Sequence, residues 1–327
     1  MIEYMKKLDK GDLFKFLEEN WNINHIYLKD KKYFNYEFSD NSNFILAKNN
    51  DRIVATLGYF DYDNKGDIWT VIWKNSGKMD DGLKCLQFLL NADYKSVSSC
   101  GINKKTIPIY EFLGIKTGRL KHFYILNPEI KDYKIAKISE KNIKKIDYKN
   151  VKDIIEVKNI EELLKLIDYQ ELKKYNFYKS PEYFNKRYFK HPYYKYHILV
   201  KSKVTNSILV YRIVKENGGS CIRIIDFLGE EKEFNELTNY LIDKMLKEKH
   251  EYVDIYEVGI EDEILENSGF LERVEKDVNI IPNYFEPFVQ ENIEIYYMSN
   301  CKDKFRMFKG DGDQDRPSIV KEKKDEE

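Results

Sequence analysis

The chain has 327 residues, 42% of them hydrophobic, enough apolar content and length for about two domains, each with its own core. Lys and Arg total 55 against 56 Asp and Glu, a net charge of -1, so no overall basic field points to nucleic acid as a partner. Cys85, Cys100, Cys221 and Cys301 stand far apart with no CxxC pair, which argues against a zinc site or a disulfide framework and suits a reducing cytoplasm.

The opening MIEYMKKLDKGDLFKFLEEN lacks a continuous apolar core, and no stretch approaches the roughly 18 uncharged apolar residues of a membrane span, so neither export by a signal peptide nor membrane insertion is expected. IEYM reads as a short strand. KGDLFKFLEENW places Leu13, Phe14, Phe16, Leu17 and Trp21 near helical spacing, and LKDKKYFNYEF continues as a helix or turn. FILAKNN and RIVATLGYF form a hairpin across NND, and DIWTVIWKN follows the turn DYDNKG. MDDGLKCLQFLLNA is a helix with an apolar face of Leu83, Leu86, Leu89 and Leu90. The strand SVSSCGI, a helix holding Tyr110 and the strand RLKHFYIL complete this unit.

A Lys-, Ile- and Asp-rich stretch with no deep core pattern, residues 131–158, reads as a connector. Beyond it EELLKLIDYQELK and SPEYFNKRYFKH are helical, YKYHILVKS and SILVYRIVKE a hairpin, and SCIRIIDFLGE a third strand. The helix FNELTNYLIDKMLKEKH, the strand YVDIYEV and the helix DEILENSGF follow. This repeats the order of the first half. YEFLGIKTG and LENSGFLER occupy equivalent places, each a helix stopped by Gly before an apolar residue enters a strand. The expected organisation is a domain over 1–130, the connector, a second domain over 159–300 and a charged tail over 301–327 whose last residues, KEKKDEE, fray. Each domain is α/β (α+β), a mixed twisted sheet flanked by helices.

The stretch GINKKTIPIYEFLGIKTG, with Asn103 before a helix, Tyr110 within it and Leu113, Gly114 and Ile115 closing it, resembles a late helix–strand motif of the GNAT acyltransferase superfamily. WKNSGKMDDGLKCLQFLL falls where that family places its pyrophosphate loop and following helix. The family spells a basic or amide residue, two variable residues, Gly, one variable residue, then Gly or Ala. This chain has Met79, Gly82 and Lys84 there, so only the central Gly matches. ENWNINHIYLKD, DIWTVIWK and FRMFKGDGDQDRP are similar to GNAT-like proteins of bacterial surface-polysaccharide gene clusters.

The resemblance implies two GNAT-like domains in tandem, the second degenerate. It also implies acetyl-CoA or another acyl-CoA held by Trp73, Ser76, Gly77, Lys78, Gly82 and Asn103, and a small amine as acceptor, an amino sugar or a nucleotide-linked sugar. A strand running into a helix start presents unpaired N–H groups and the positive helix end to a pyrophosphate, and Gly77 and Gly82 allow close approach. Asp80 and Asp81 repel an anion and are equally explained as helix-capping residues.

Acyl transfer from a thioester needs oxyanion donors, supplied by amides of the IWTVIWK strand, and a proton for the departing thiolate. Tyr110 suits the second task, since a phenol stays protonated at neutral pH. It also reads as a core aromatic in a chain with 26 tyrosines. His25 is the candidate to take a proton from the amine, or a capping residue. His191 and His197, six apart, form no metal motif, and no metal site is expected. Asp311, Asp313 and Asp315 alternate as calcium ligands can, but lack the later acidic ligand and helix pair, so this turn either orders the tail or lines an acceptor pocket with Arg316. The other function class in view is a tandem GNAT-like binding protein without turnover, to which Lys84 in place of a small residue lends weight.

Overall fold

The computed structural model describes residues 1–6, 9–38, 43–62, 66–142, 153–201, 206–274 and 276–320. Part of the DYDNKG turn, the middle of the connector and the terminal KEKKDEE lie outside the described residues.

Strand β1 (Ile2–Tyr4) is followed by helices α1 (Lys10–Asn20), α2 (Ile26–Lys29) and α3 (Lys31–Glu37). The meander β2 (Phe44–Asn49), β3 (Arg52–Asp61) and β4 (Asp67–Asn75) leads to α4 (Met79–Leu90), β5 (Ser96–Ile102), α5 (Ile107–Phe112), β6 (Lys116–Arg119) and β7 (Lys121–Leu126). The order then returns with β8 (Ile154–Val157), α6 (Ile160–Leu166), α7 (Tyr169–Leu172) and α8 (Pro181–Phe184), the last extended by a π-helical turn over Asn185–Phe189. Next come β9 (His197–Lys201), β10 (Ile208–Glu216), β11 (Gly219–Leu228), α9 (Phe234–Glu248), β12 (Tyr252–Val258), α10 (Asp262–Asn267) and β13 (Leu271–Glu272). The short strands β14 (Tyr284–Phe285), β15 (Phe288–Val289), β16 (Tyr296–Ser299) and β17 (Met307–Phe308) complete the set.

Local chemistry accounts for the helix starts. The Asp30 carboxylate accepts the amides of Lys32 (2.8 Å) and Tyr33 (3.0 Å) to open α3. Ser180 does the same for α8 with Pro181 in its first turn. On α4, Cys85, Leu86 and Leu89 recur at helical spacing and are buried against the sheet.

Two mixed sheets form, ordered β1-β2-β3-β4-β5-β16-β6 and β13-β7-β12-β11-β10-β9-β8. In each, one central pair is parallel: β4 with β5, and β11 with β12. Sheet membership departs from the sequence reading. RLKHFYIL does not complete the first sheet: β7 crosses to the second sheet, between β12 and β13, and β16 from the far end of the chain takes the place beside β5. The residues explain the crossing. In β7, His122, Phe123, Tyr124, Ile125 and Leu126 are all buried, which only an interior strand satisfies, whereas β6 is four residues long and half-exposed, as befits an edge.

The connector also departs from expectation over its described first part. Ile135 and Ala136 are buried, and the Glu251 carboxylate accepts the amides of Lys134 (2.7 Å), Ile135 (3.0 Å) and Ala136 (3.1 Å), fixing this stretch to the second sheet. One face of the first sheet packs on α4 and α5. The core on its other face joins Leu13, Phe34 and Trp69 to Tyr256, Phe305 and Met307 of the second half.

Candidate active site

In the first sheet the parallel register runs Asp67↔Ser96, Ile68↔Val97, Trp69↔Ser98 and ends there. Ser99 Oγ donates to the Thr70 carbonyl at 2.9 Å. Beyond that bond β4 continues to Asn75 and β5 to Ile102, and the two strands diverge. The β3–β4 pairing skips from Leu57↔Trp73 to Tyr59↔Thr70, so Val71 and Ile72 bulge opposite Gly58 at the fork of this cleft. A Cβ on Gly58 would meet Phe44 Cε1 at 2.8 Å.

The predicted loop leads from β4 into α4. Lys78 caps α4 without a side-chain hydrogen bond, which leaves first-turn amides to solvent or ligand. Gly77 takes φ +139°, a conformation glycine permits, with nothing packed over it. Ser76 Oγ turns back to the Val54 carbonyl (3.1 Å), and the loop borders an open cavity of about 550 Å³ on its β1–β2 side.

Of the residues expected to hold the cofactor, Trp73 and Gly82 come together, beside Tyr110, the expected acid. Trp73 Nε1 donates to the Gly82 carbonyl at 2.9 Å, and its ring lies 5.8 Å from that of Tyr110. The indole therefore spans from the first turn of α4 to α5. A Cβ on Gly82 would sit 3.1 Å from Trp73 Nε1, so glycine admits this contact. Tyr110 is only 3% exposed, and burial pushes its phenol well above the ordinary value, opposed by a hydrogen bond with Thr106. Asn103 serves as a local cap, accepting the Lys105 amide at 2.9 Å.

The backbone fits an acyl-CoA: diverging strands, a bulge at the fork and an open helix N-terminus. The side chains set a condition, since Trp73 occupies the mouth between α4 and Tyr110, and Asp80 and Asp81 flank the amides.

The second sheet has the same fork, but the chain fills it. The register Ile222↔Val253, Arg223↔Asp254, Ile224↔Ile255 ends, and β17 then pairs along β12 as Glu257↔Phe308 and Val258↔Met307. The Gly310 amide donates to the carbonyl of the bulged Ile225 at 2.9 Å. A Cβ on Gly310 would meet that carbonyl oxygen at 2.8 Å and Tyr188 Oη at 2.9 Å. Thus the turn over Asp311–Arg316, expected either to order the tail or to line a pocket, is largely buried. Its Gly312 amide donates to Tyr62 Oη (2.9 Å), Asp315 receives Arg212 Nε (2.9 Å), and Arg316 Nε lies 3.1 Å from Glu37 Oε2. No metal-binding group of His, Cys, Asp and Glu occurs among the described residues.

Between the first cleft and this tail lies a cavity of about 160 Å³, lined among others by Trp21, His25, Ile72, Tyr284, Lys309 and Asp313. His25 opens α2, its Nδ1 accepting the Tyr27 amide at 3.3 Å, with its ring on Trp21 and burial pushing its pKa down to about 4. On the other side of Arg316 is a cavity of about 420 Å³ bounded by Tyr36, Glu37, Tyr183, Lys186 and Arg187. Asn283 also lines the 160 Å³ cavity, and the sequence reading singled out neither it nor Lys309.

No protein-family model matches the chain, and no curated protein matches it. Solved structures do. A GCN5-related N-acetyltransferase from Anabaena variabilis superposes with a TM-score of 0.55 at 11% identity, over 91% of this chain and 72% of that one. One from Kribbella flavida gives 0.55 at 9% identity, over 91% and 70%. A probable N-acyltransferase from Enterococcus faecalis gives 0.52 at 10%, over 91% and 72%. At such identities the likeness concerns the fold, and by its two forked mixed sheets and these superpositions the chain has the fold of the GCN5-related N-acetyltransferases.

Proposed function

We propose that the chain is an acyl-CoA-dependent N-acyltransferase whose chemistry takes place at the fork of β4 and β5. The observation that carries this reading is the conjunction of that fork, the uncapped start of α4 and a cavity beside Ile72. Trp73, Ser76, Gly77, Lys78 and Gly82 would hold the cofactor, with Asn103 ordering the helix that carries Tyr110. The cofactor supplies an activated acyl group as its thioester. Amides at the β4 bulge donate to the developing oxyanion, and Tyr110 protonates the departing thiolate. The acceptor is a small amine in the 160 Å³ cavity, for which an amino sugar, free or nucleotide-linked, is the class we favour, with His25 forming part of the wall. In this reading the catalytic unit (1–130) and the second unit (159–300) exchange strands, β7 joining the second sheet and β16 the first.

The Trp73 indole in the cleft favours a second reading, a ligand-binding protein without turnover. Thermal shift with acetyl-CoA, followed by release of free thiol with an amine panel, separates the two. Binding raises apparent stability by about 2.7 kcal/mol at a hundredfold excess over Kd. We expect a shift for the native chain and none for Gly82→Val, whose side chain displaces Trp73. No shift in the native chain refutes the transferase reading; binding with no thiol release from any amine favours the second.

A further inference from the structure

We propose that Lys309 accepts the proton of the ammonium group to be acylated, so that the second half of the chain supplies the base for chemistry at the first half's cleft. This rests on the acyl-transfer reading above. Lys309 is 2% exposed and follows β17 directly, its amide bonded to the Tyr256 carbonyl at 3.3 Å, which fixes its stem in the second fork while its side chain lines the 160 Å³ cavity shared with Ile72 and His25. The ammonium donates to the Asn283 side-chain oxygen and lies 3.4 Å from the Asn283 carbonyl, between the rings of Tyr256 and Tyr284, each 5.5 Å away.

Among the described residues no carboxylate forms an ion pair with it. Lys179, just as buried, is held by Asp226 and Asp311, both at 2.9 Å, and its pKa is raised. The same burial without such partners pushes Lys309 down to about 7, with Arg223 and Arg212 lowering it further and Asp315 and Asp254 opposing. At neutral pH and slightly above, Lys309 is therefore substantially an uncharged amine, a base matched to the working pH. His25, pushed down to about 4, would return the proton at once.

A second observation marks the cavity as a ligand site. The Asn283 side-chain nitrogen and the Tyr27 hydroxyl are buried in its wall without hydrogen-bond partners. A donor and a hydroxyl left unpaired call for a ligand bearing its own hydroxyl or carbonyl oxygens. Trp21, His25 and Tyr284 add aromatic rings to the lining, as suits a small ring-shaped ligand. The ligand class is a primary ammonium on a small oxygenated ring. In the step, an N–H bond of the ammonium breaks as the Lys309 Nζ–H bond forms. The freed lone pair makes the C–N bond to the acyl carbon and the C–S bond breaks. As the adduct collapses Tyr110 gives its proton to sulfur and is reprotonated through solvent by the second N–H proton, which the nitrogen sheds in becoming the amide; Lys309 releases its proton to solvent, leaving amide, free thiol and one released proton.

The test compares the native chain with Lys309→Met, reading thiol release from acetyl-CoA with D-glucosamine and with hydroxylamine, which is already largely unprotonated at neutral pH. The variant should lose about 10²–10⁴-fold with glucosamine and stay within about threefold with hydroxylamine. Equal losses with both, or no loss with either, overturn the assignment. Competitive labelling of the native chain with acetic anhydride, read by mass spectrometry, works without an acceptor and without a variant. Lys309 should titrate near pH 7, and titration near the ordinary lysine value of about 10.4 also overturns it. Absence of an acetyl-CoA thermal shift in the native chain would instead strike the transferase reading.

Discussion

Removing everything after residue 290 should unfold the first half of the chain, although no residue of 1–130 is touched. The cut deletes β16, which pairs with β5 on one side and is the neighbour of β6 on the other. It also deletes Ile295, Tyr297 and Met298, which are 1%, 4% and 0% exposed. Burying three such side chains is worth about 1.5–3 kcal/mol each, or roughly 5–9 kcal/mol together, an upper bound because denatured chains are already partly compact. A whole domain is stable by only about 5–15 kcal/mol, so this one strand accounts for much of the margin. The loss is compounded by β6, stripped of its neighbour. Urea unfolding followed by tryptophan fluorescence reports the first half directly, since Trp21, Trp69 and Trp73 all lie there. The truncated chain should show emission of solvent-exposed indole in the absence of urea. A cooperative transition with a midpoint close to that of the full chain would refute the argument that the exchanged strand holds the first sheet together.

Tyr110→Phe keeps the buried ring and loses one hydrogen bond, so stability should change by about 1 kcal/mol or less while kcat falls about 10²–10⁴-fold; native turnover of the true acceptor would make Tyr110 a packing residue. Burial opposes ionisation of Glu37, but Arg316 and Arg187 hold its pKa down to about 2, below an unfolded value of about 4.3. The stabilisation is therefore complete above the unfolded value and is lost as pH falls through about 2, and an acid titration of Glu37→Gln by circular dichroism should lack that component. At neutral pH Arg316→Met leaves the Glu37 carboxylate buried and should cost about 3–5 kcal/mol in urea. Gly310→Ala places a methyl group 2.8 Å from the Ile225 carbonyl and should cost about 1–3 kcal/mol; an unchanged urea midpoint would mean that the tail does not sit in the second fork.

Much of the element order was legible because its signals are local. Leu86 and Leu89 recur at helical spacing, strands alternate or run apolar between turns, and Asp30 and Ser180 mark helix starts. The partnership of strands was not. Periodicity says which face of a strand is buried but not which sheet receives it, so β7 was assigned to the sheet nearest in sequence. Asn103 and Tyr110 stood out by spelling, whereas Lys309 did not. Its environment is made by Asn283, Tyr256 and Arg223, which only the fold brings beside it.

The tail was hidden for a related reason. FKGDGDQDRP is spelled like surface, and a peptide so charged enters a core only where opposite charges wait for it: Lys179 for Asp311, Arg187 and Arg212 for Asp315, Glu37 for Arg316. These pairs offset desolvation more than they add stability, because taking two ions from water costs several kcal/mol each before their attraction counts. What they confer is selectivity for one arrangement. Lys179, Arg187 and Arg212 belong to the second half and Glu37 to the first, so the tail finds all its partners only when both sheets are in place. It then fills the second fork with Gly310 and sets Lys309 and Asp313 beside the bulge of the first. An isolated first half would lack both a strand of its sheet and one wall of the 160 Å³ cavity, so that under the proposed function the acyl-transfer site is a property of the two halves together.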